Sequence, residues 1–462
     1  MHTRPLVALA AALALACHSS TPTHTRGLSV ASTTPPSSLL RLSGAGDTAE
    51  LYHLPRLERW DWRSTATLPP VRRAIGADLD LGLVYALDTK SEVLAFDLQT
   101  ARPRPQLLTD VRDVTVGPDG TLFTIDDSLR ATQFIRRNPL RFPSKLAARP
   151  RDLFGTRTAA LLAISSGART TLTLLRAAEQ PVEAALPSGD AAATFWGDLL
   201  AIAADTAVVL VDPDQPDRPV ALPVKGHARA VVFSPSGHRL YVARREGPIL
   251  VYNRFTRERI GEIELPGTAG ALRADPFGRW LLVHPPDADS LWLVDLARNR
   301  FVGGFATNWA PDLPTVTNQQ TLLVKEGRDV VAYDLTKPDA PETGRVRGGA
   351  ADTWLPLAWT PETGTAIALS DETSPDTAAS QGTDLDPTGS KVYLQVSSSQ
   401  NRSWSAELAS QLAQQGLPAK VLDPRPGEDG FRVVLGPYPS RPAAETTGKR
   451  LGRPYFIYQP DR

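Results

Sequence analysis

Apolar and polar positions change places in short runs through most of this chain, which is the period of strands rather than of helices. The clearest stretch reads Ala230-Val-Val-Phe, a turn Ser234-Pro-Ser-Gly, then Arg239-Leu-Tyr-Val-Ala, Pro248-Ile-Leu-Val-Tyr and Arg259-Ile-Gly-Glu-Ile. The grouping recurs. Leu272-Arg-Ala-Asp-Pro-Phe-Gly precedes Trp280-Leu-Leu-Val and Leu291-Trp-Leu-Val-Asp, Thr321-Leu-Leu-Val precedes Val330-Val-Ala-Tyr-Asp, and Leu83-Val-Tyr-Ala-Leu precedes Val93-Leu-Ala-Phe-Asp. Val114-Thr-Val-Gly-Pro-Asp-Gly, Leu161-Leu-Ala-Ile and the runs 199–203 and 208–212 mark further copies. Proline fixes φ and glycine accepts the positive φ that a tight turn demands, so Ser-Pro-x-Gly, Gly-Pro-Asp-Gly and Asp-Pro-Phe-Gly read as one turn between the first two strands of each unit.

The repeat length is about forty residues, and a four-stranded sheet of that size cannot bury both faces alone. Packing each unit on the next in a ring solves this, so residues 46–370 are expected to form a β-propeller. Seven internal units are legible, and an eighth would combine 50–63 with 355–370, two strands from each end. Eight blades are expected, or seven if 137–152 hides a miscounted boundary. Closure between chain ends would leave no exposed sheet edge. Asp97, Asp295 and Asp334 recur at one place in the unit, which suits turn hydrogen bonding better than catalysis. Trp60, Trp62, Trp354 and Trp359 gather at the proposed closure as packing. The pattern resembles WD-repeat and YVTN-type propellers.

The period changes after Lys391. Val392, Leu394 and Val396 alternate with Tyr393 and Gln395, a strand; Trp404, Leu408 and Leu412 then recur every four residues from a start at Asn401 or Ser403, and Gly416 stops that helix. Strands are expected at 419–422, 431–435 and 455–458, with Gly436-Pro437 ending the third and Ser440 capping a second helix that ends near Gly452. The order βαββαβ predicts a small α+β, ferredoxin-like module whose helices cover one sheet face and leave the other open. Alternation puts Tyr393, Gln395, Arg432, Val434, Tyr455 and Ile457 on the open face. Aromatic rings suit sugar faces, an amide suits hydroxyls, and a guanidinium holds a carboxylate by two parallel hydrogen bonds. A half-exposed sheet also carries such residues without a ligand. RNA binding would need interleaved aromatics on the third strand, which Phe431-Arg-Val-Val-Leu does not supply.

Lys391-Val-Tyr-Leu-Gln-Val-Ser-Ser, Gly430-Phe-Arg-Val-Val-Leu-Gly-Pro-Tyr and Pro454-Tyr-Phe-Ile-Tyr together resemble a SPOR domain, the bacterial module that binds septal peptidoglycan stripped of its stem peptides. The resemblance implies a glycan groove lined by Gln395, Ser398 and Arg432. Where the family prefers Gly-Ser-Phe, this chain reads Ser397-Ser-Ser, one aromatic fewer.

Composition bounds what remains. The chain has 462 residues, 42% of them hydrophobic, and a formal net charge of +0, so no overall charge signature points to nucleic acid. It begins with Arg4 and an apolar run from Leu6 to Ala16, too short to span a bilayer and shaped as a secretory signal, residues 1–16. Cys17 is the only cysteine and follows Leu13-Ala-Leu-Ala, which resembles a lipoprotein signal box. That resemblance implies lipid on Cys17, and His18 favours the periplasmic side of the outer membrane. Residues 17–45 are rich in Ser, Thr and Pro and read as a tether; 371–389, with Asp371, Glu372, Asp376, Asp384 and Asp386, read as an acidic linker before the module at 390–462. His53, His227, His238 and His284 are scattered, and neither a nucleophile elbow nor a phosphate loop is present. No metal and no cofactor are expected.

The expected protein is a non-enzymatic, lipid-anchored envelope protein of cell division that holds denuded peptidoglycan by its C-terminal module. Its propeller would be a platform for a protein partner that the sequence does not identify. A peptidoglycan hydrolase or lyase with a catalytic propeller, and a propeller that senses a small ligand, are the alternatives.

Overall fold

The computed structural model describes residues 38–361 and 392–458, apart from short stretches within each. The signal segment, Cys17 and the acidic linker lie outside the described residues. Among the described residues, eight four-stranded antiparallel sheets succeed one another between Ser38 and Leu357, and a ninth forms from the C-terminal strands. In seven of the eight, four consecutive strands make a simple meander.

Side chains on the first strand of one sheet, or just before it, bond to the backbone of an adjoining sheet's first strand or the turn before it. Arg73 Nη2 donates to Val114 O at 3.0 Å, Val231 N to Asp190 Oδ2 at 2.9 Å, Arg273 Nη1 to Pro314 O at 2.7 Å, and Trp354 N to Asp312 Oδ2 at 2.9 Å. The paired residues are 41, 41, 41 and 42 positions apart, so the repeat seen in the sequence is also the step around the ring. Apolar clusters fill the gaps between sheets. One joins Leu199, Val208 and Leu222 to Val231, Leu240 and Tyr252; another joins Leu39, Tyr52 and Trp354 of the closing sheet to Leu323 and Val330 of the last. Each sheet thereby buries the face it cannot cover alone, and the architecture is a β-propeller.

The closing sheet differs from expectation. Ser38–Leu42 lies between Ala49–His53 and Thr353–Leu357, with Leu40 opposite both Leu51 and Leu355, so three strands come from the N-terminal side and one from the C-terminal side. Residues 38–42, expected in the tether, are therefore part of the ring. Leu39, Leu40 and Leu42 are buried, so this strand has no polar face and shows no alternation to read. Arg41 Nε donates to Asp352 Oδ2 at 2.7 Å, Gly44 N to Asp352 Oδ1 at 2.9 Å and Ser38 Oγ to Trp359 O at 2.6 Å, fastening the two ends. Trp62 packs edge-on to Trp359 at 6.1 Å and to Phe96 at 5.8 Å, as closure packing requires. The weak segment 137–152 is shared between sheets: Asn138–Lys145 ends the third and Pro150–Gly155 begins the fourth.

In the C-terminal module the strand order is Ala419–Leu422, Phe431–Tyr438, Val392–Ser399, Phe456–Tyr458, every neighbour antiparallel. Helix Arg402–Gln414 sets Leu408 and Leu412 against Leu394, Val396, Val433 and Leu435. It ends where Gly416 takes φ +77°, Leu417 N donates to Leu412 O at 3.1 Å and Gly416 N to Ala413 O at 3.0 Å, a paired bond pattern that only a left-handed residue completes. Ser440 Oγ accepts from Ala443 N at 3.3 Å, the predicted cap. The third strand does not stop at Gly436-Pro437 but continues to Tyr438, opposite Val392, because a register shift between Val392 and Leu394 absorbs the proline.

Candidate functional site

Direct cross-strand partners share a sheet face, so the registers settle which residues can act together. Gln395 pairs with Val434 and Phe456, Tyr393 with Tyr458, Ser398 and Leu422 with Arg432, and Lys420 with Val434. Tyr393, Gln395, Arg432 and Val434 thus occupy one face, as alternation predicts, together with Lys420 and Tyr458, which it does not select; a register shift between Gln395 and Ser397 sets Ser398, implied by the family resemblance, opposite Arg432. Ile457 does not join them. It pairs with Leu394 and packs in the helix-side cluster, because the last strand is out of phase by one residue from the sequence reading, and a one-residue shift reverses every side chain. Tyr455 precedes the strand; its ring lies so close to Gly448 that a Cβ there would come within 2.6 Å of it. Ile457 and Tyr455 are removed from the candidate set.

The expected open face is covered. Tyr393 is 5%, Gln395 0%, Arg432 1% and Val434 0% exposed. Turns of three successive propeller sheets meet the module, and the middle one reaches this face. Phe195 and Trp196, between Asp190–Ala193 and Leu200–Ala204, join the module's helix-side apolar cluster. Phe255, between Ile249–Asn253 and Arg259–Ile263, lies under Arg432, and the turn at Gly278 approaches Tyr455, whose carbonyl would be 3.6 Å from a Cβ added there. Alternation shows that a face is polar and aromatic, but the partner packed on it comes from more than a hundred residues away and leaves no local signal.

The turn that presents Phe255 is the one the recurring acidic position builds. Asp97 Oδ1 accepts from Gln99 N at 3.0 Å and Thr100 N at 2.9 Å, and Asp295 Oδ1 accepts from Ala297 N at 2.8 Å. In this blade unit Asn253 takes the same role, with Oδ1 accepting from Phe255 N at 2.8 Å. Phe255 therefore sits on a locked hairpin, with Arg254 beside it ion-paired to Asp198 at 2.7 Å.

Cations and rings alternate across the contact. The Arg254 guanidinium is 4.9 Å from the Phe255 ring, Arg432 is 5.6 Å from the same ring and 5.3 Å from Tyr458, Tyr458 is 6.4 Å from Tyr393, and Lys420 Nζ is 4.4 Å from Tyr393. Lys420 Nζ also donates to Tyr393 Oη at 3.1 Å. A guanidinium over a ring in a desolvated place contributes about 2 kcal/mol, so Phe255 is a firm anchor for Arg432. His238 borders the same contact with its ring 5.8 Å from Phe255. Burial, then the guanidiniums of Arg432, Arg239 and Arg254, push its pKa from 6.5 down to about 3, so the imidazole is neutral. The buried Gln395 amide has no hydrogen-bond partner for Oε1 or Nε2 among the described residues. No group of His, Cys, Asp and Glu able to hold a metal occurs among the described residues, and no helix there is long and apolar enough to cross a membrane.

Solved structures share the propeller architecture. The dihydro-heme d1 dehydrogenase NirN in complex with DHE is 14% identical with a TM-score of 0.51, covering 74% of this chain and 78% of that one. AztD of Citrobacter koseri is 13% identical with a TM-score of 0.50, covering 70% of this chain and 98% of that one. At such identities the likeness is one of fold. No curated protein matches the chain. Residues 388–457, which hold the candidate face except Tyr458, match the family model of the SPOR domain, and the chain thus carries a SPOR domain behind a β-propeller.

Proposed function

We propose that this chain is a bacterial envelope protein that binds peptidoglycan glycan strands freed of stem peptides through its SPOR domain, during cell division. It acts by binding rather than by catalysis. Each four-stranded sheet of the ring counts as one blade, giving eight, and the strand order of the SPOR domain makes it ferredoxin-like. The ring serves as a platform for a protein partner, and lipid on Cys17 holds the chain on the periplasmic side of the outer membrane.

One observation carries this reading: Tyr393, Gln395 and Arg432, within the matched residues, stand on a single face with Tyr458 just beyond them, and the Gln395 amide has no partner among the described residues. A denuded muramic residue offers a carboxylate for the two-pronged guanidinium, hydroxyls for the amide and an apolar ring face for the tyrosines. Co-sedimentation with amidase-treated sacculi tests it. Gln395→Ala deletes the amide without adding bulk, and the retained fraction should fall about tenfold in apparent affinity, the worth of a hydrogen bond to a buried polar group. Equal retention of Gln395→Ala and the parent, or equal retention on treated and untreated sacculi, would overturn the reading.

A further inference from the structure

We propose that the propeller is a built-in cover for the glycan-binding face, anchored by Phe255 on Arg432, and that the SPOR domain takes its polymer only after the two separate. This rests on the reading above and adds a regulation that neither the fold nor the family match contains.

Three features of the contact support it. The first is occupancy. The Arg432 guanidinium lies 5.3 Å from Tyr458 of its own sheet and 5.6 Å from Phe255 of the propeller, so a place that a sugar ring could take beside it is held by the protein's own aromatic ring. Ring and polymer compete for the same cation. The second is incomplete satisfaction. Gln395 is wholly buried under the cover, and its amide gains no partner among the described residues. A surface evolved only for this contact would match that amide; a surface kept for another ligand leaves it waiting, at the cost of its desolvation. The third is charge. Closing brings the Arg432 guanidinium to 5.6 Å from a ring that already holds Arg254 at 4.9 Å, so two cations share Phe255. Asp198 ion-pairs with Arg254 at 2.7 Å. The closed contact thus has its anchor at Phe255 and an unanswered amide at Gln395, which is the balance a releasable cover needs.

The apparent affinity of a face that is free only part of the time falls by that fraction, so loosening the cover should raise binding without any change in the face. The test uses the full chain, amidase-treated sacculi and Phe255→Ala, a substitution in the propeller that leaves the glycan face untouched. Hydrogen exchange of Val392–Ser399 and Phe431–Tyr438 reports whether the cover has lifted, and Phe255→Leu, which keeps apolar bulk and loses the ring, guards against a folding fault peculiar to Phe255→Ala. Both variants should expose these strands to exchange and bind about tenfold more tightly than the parent. Faster exchange with affinity unchanged from a parent that already binds well would overturn the cover and leave the glycan reading intact. Faster exchange with no retention in any form would sink the glycan reading itself, and the cover with it.

Discussion

Acid should loosen the contact between propeller and SPOR domain, because His238 is held neutral at its border. The group is pushed from 6.5 to about 3 by burial first and then by Arg432 from the SPOR sheet, Arg239 from its own sheet and Arg254 from the adjoining turn, with Asp198 engaged by Arg254. Well above pH 6.5 the imidazole is neutral whether the domains touch or not, so the contact keeps its full strength. As pH falls through 6.5 toward 3, the separated form takes up a proton that the closed form refuses, and separation gains. Were the whole shift relieved on opening, going from pH 7 to pH 5 would move the equilibrium by ~25-fold, or about 2 kcal/mol. That figure is a ceiling, since Phe255 and the two propeller arginines stay beside His238 after the SPOR domain leaves; the share due to Arg432 and its burial is what opening returns. Small-angle X-ray scattering at pH 7 and pH 5 reads the outcome as a rise in maximum dimension. His238→Gln, neutral at both pH values, should flatten that rise. A parent curve that does not change with pH, or a His238→Gln protein that opens just as far, would refute the role of the imidazole.

Three substitutions test the scaffold. Leu40→Ala, in the buried strand that closes the ring between Leu51 and Leu355, should cost about 2–5 kcal/mol in denaturant unfolding of the propeller; a loss under about 0.5 kcal/mol would mean the strand is not part of the core. Gly448→Ala places a Cβ 2.6 Å from the Tyr455 ring and should destabilise the SPOR domain by roughly 1–3 kcal/mol while the propeller transition stays put. Arg273→Leu strips the donors from Pro314 O at 2.7 Å and Ala310 O at 2.9 Å and should lower stability by roughly 2–4 kcal/mol, since a buried and a part-buried carbonyl lose their partner. Arg273 is buried enough to have its pKa held down to about 10, so high pH should erode the same link.

The repeat was legible because each unit solves the same problem. Ser234-Pro-Ser-Gly and its relatives announce the first turn, and the acid or Asn253 at the end of the third strand announces the last, both through local backbone chemistry. The closing strand was not legible for the opposite reason. Leu39-Leu-Arg-Leu is buried on both faces, follows a Ser, Thr and Pro-rich stretch, and pairs with residues over three hundred positions away. Nothing local separates it from a tether. In the SPOR domain, alternation sets the faces of the first and third strands, whereas the short last strand allows two phases, and its pairing brings Tyr458 rather than Ile457 to the face.

The same limit explains the covered face. A period of two reports that Tyr393, Gln395 and Arg432 point away from the helix, and it cannot say whether water, a polymer or another part of the chain lies beyond them. All three want the same residues: aromatic area that tolerates exposure, a cation that can stack, an amide that can bond. Phe255 reaches Arg432 by the chemistry that would draw a sugar ring to it, so the likeness between cover and ligand is itself the reason one sheet face could serve both. The amide of Gln395 is where they part, because a ring such as Phe255 cannot answer it and a hydroxylated polymer can.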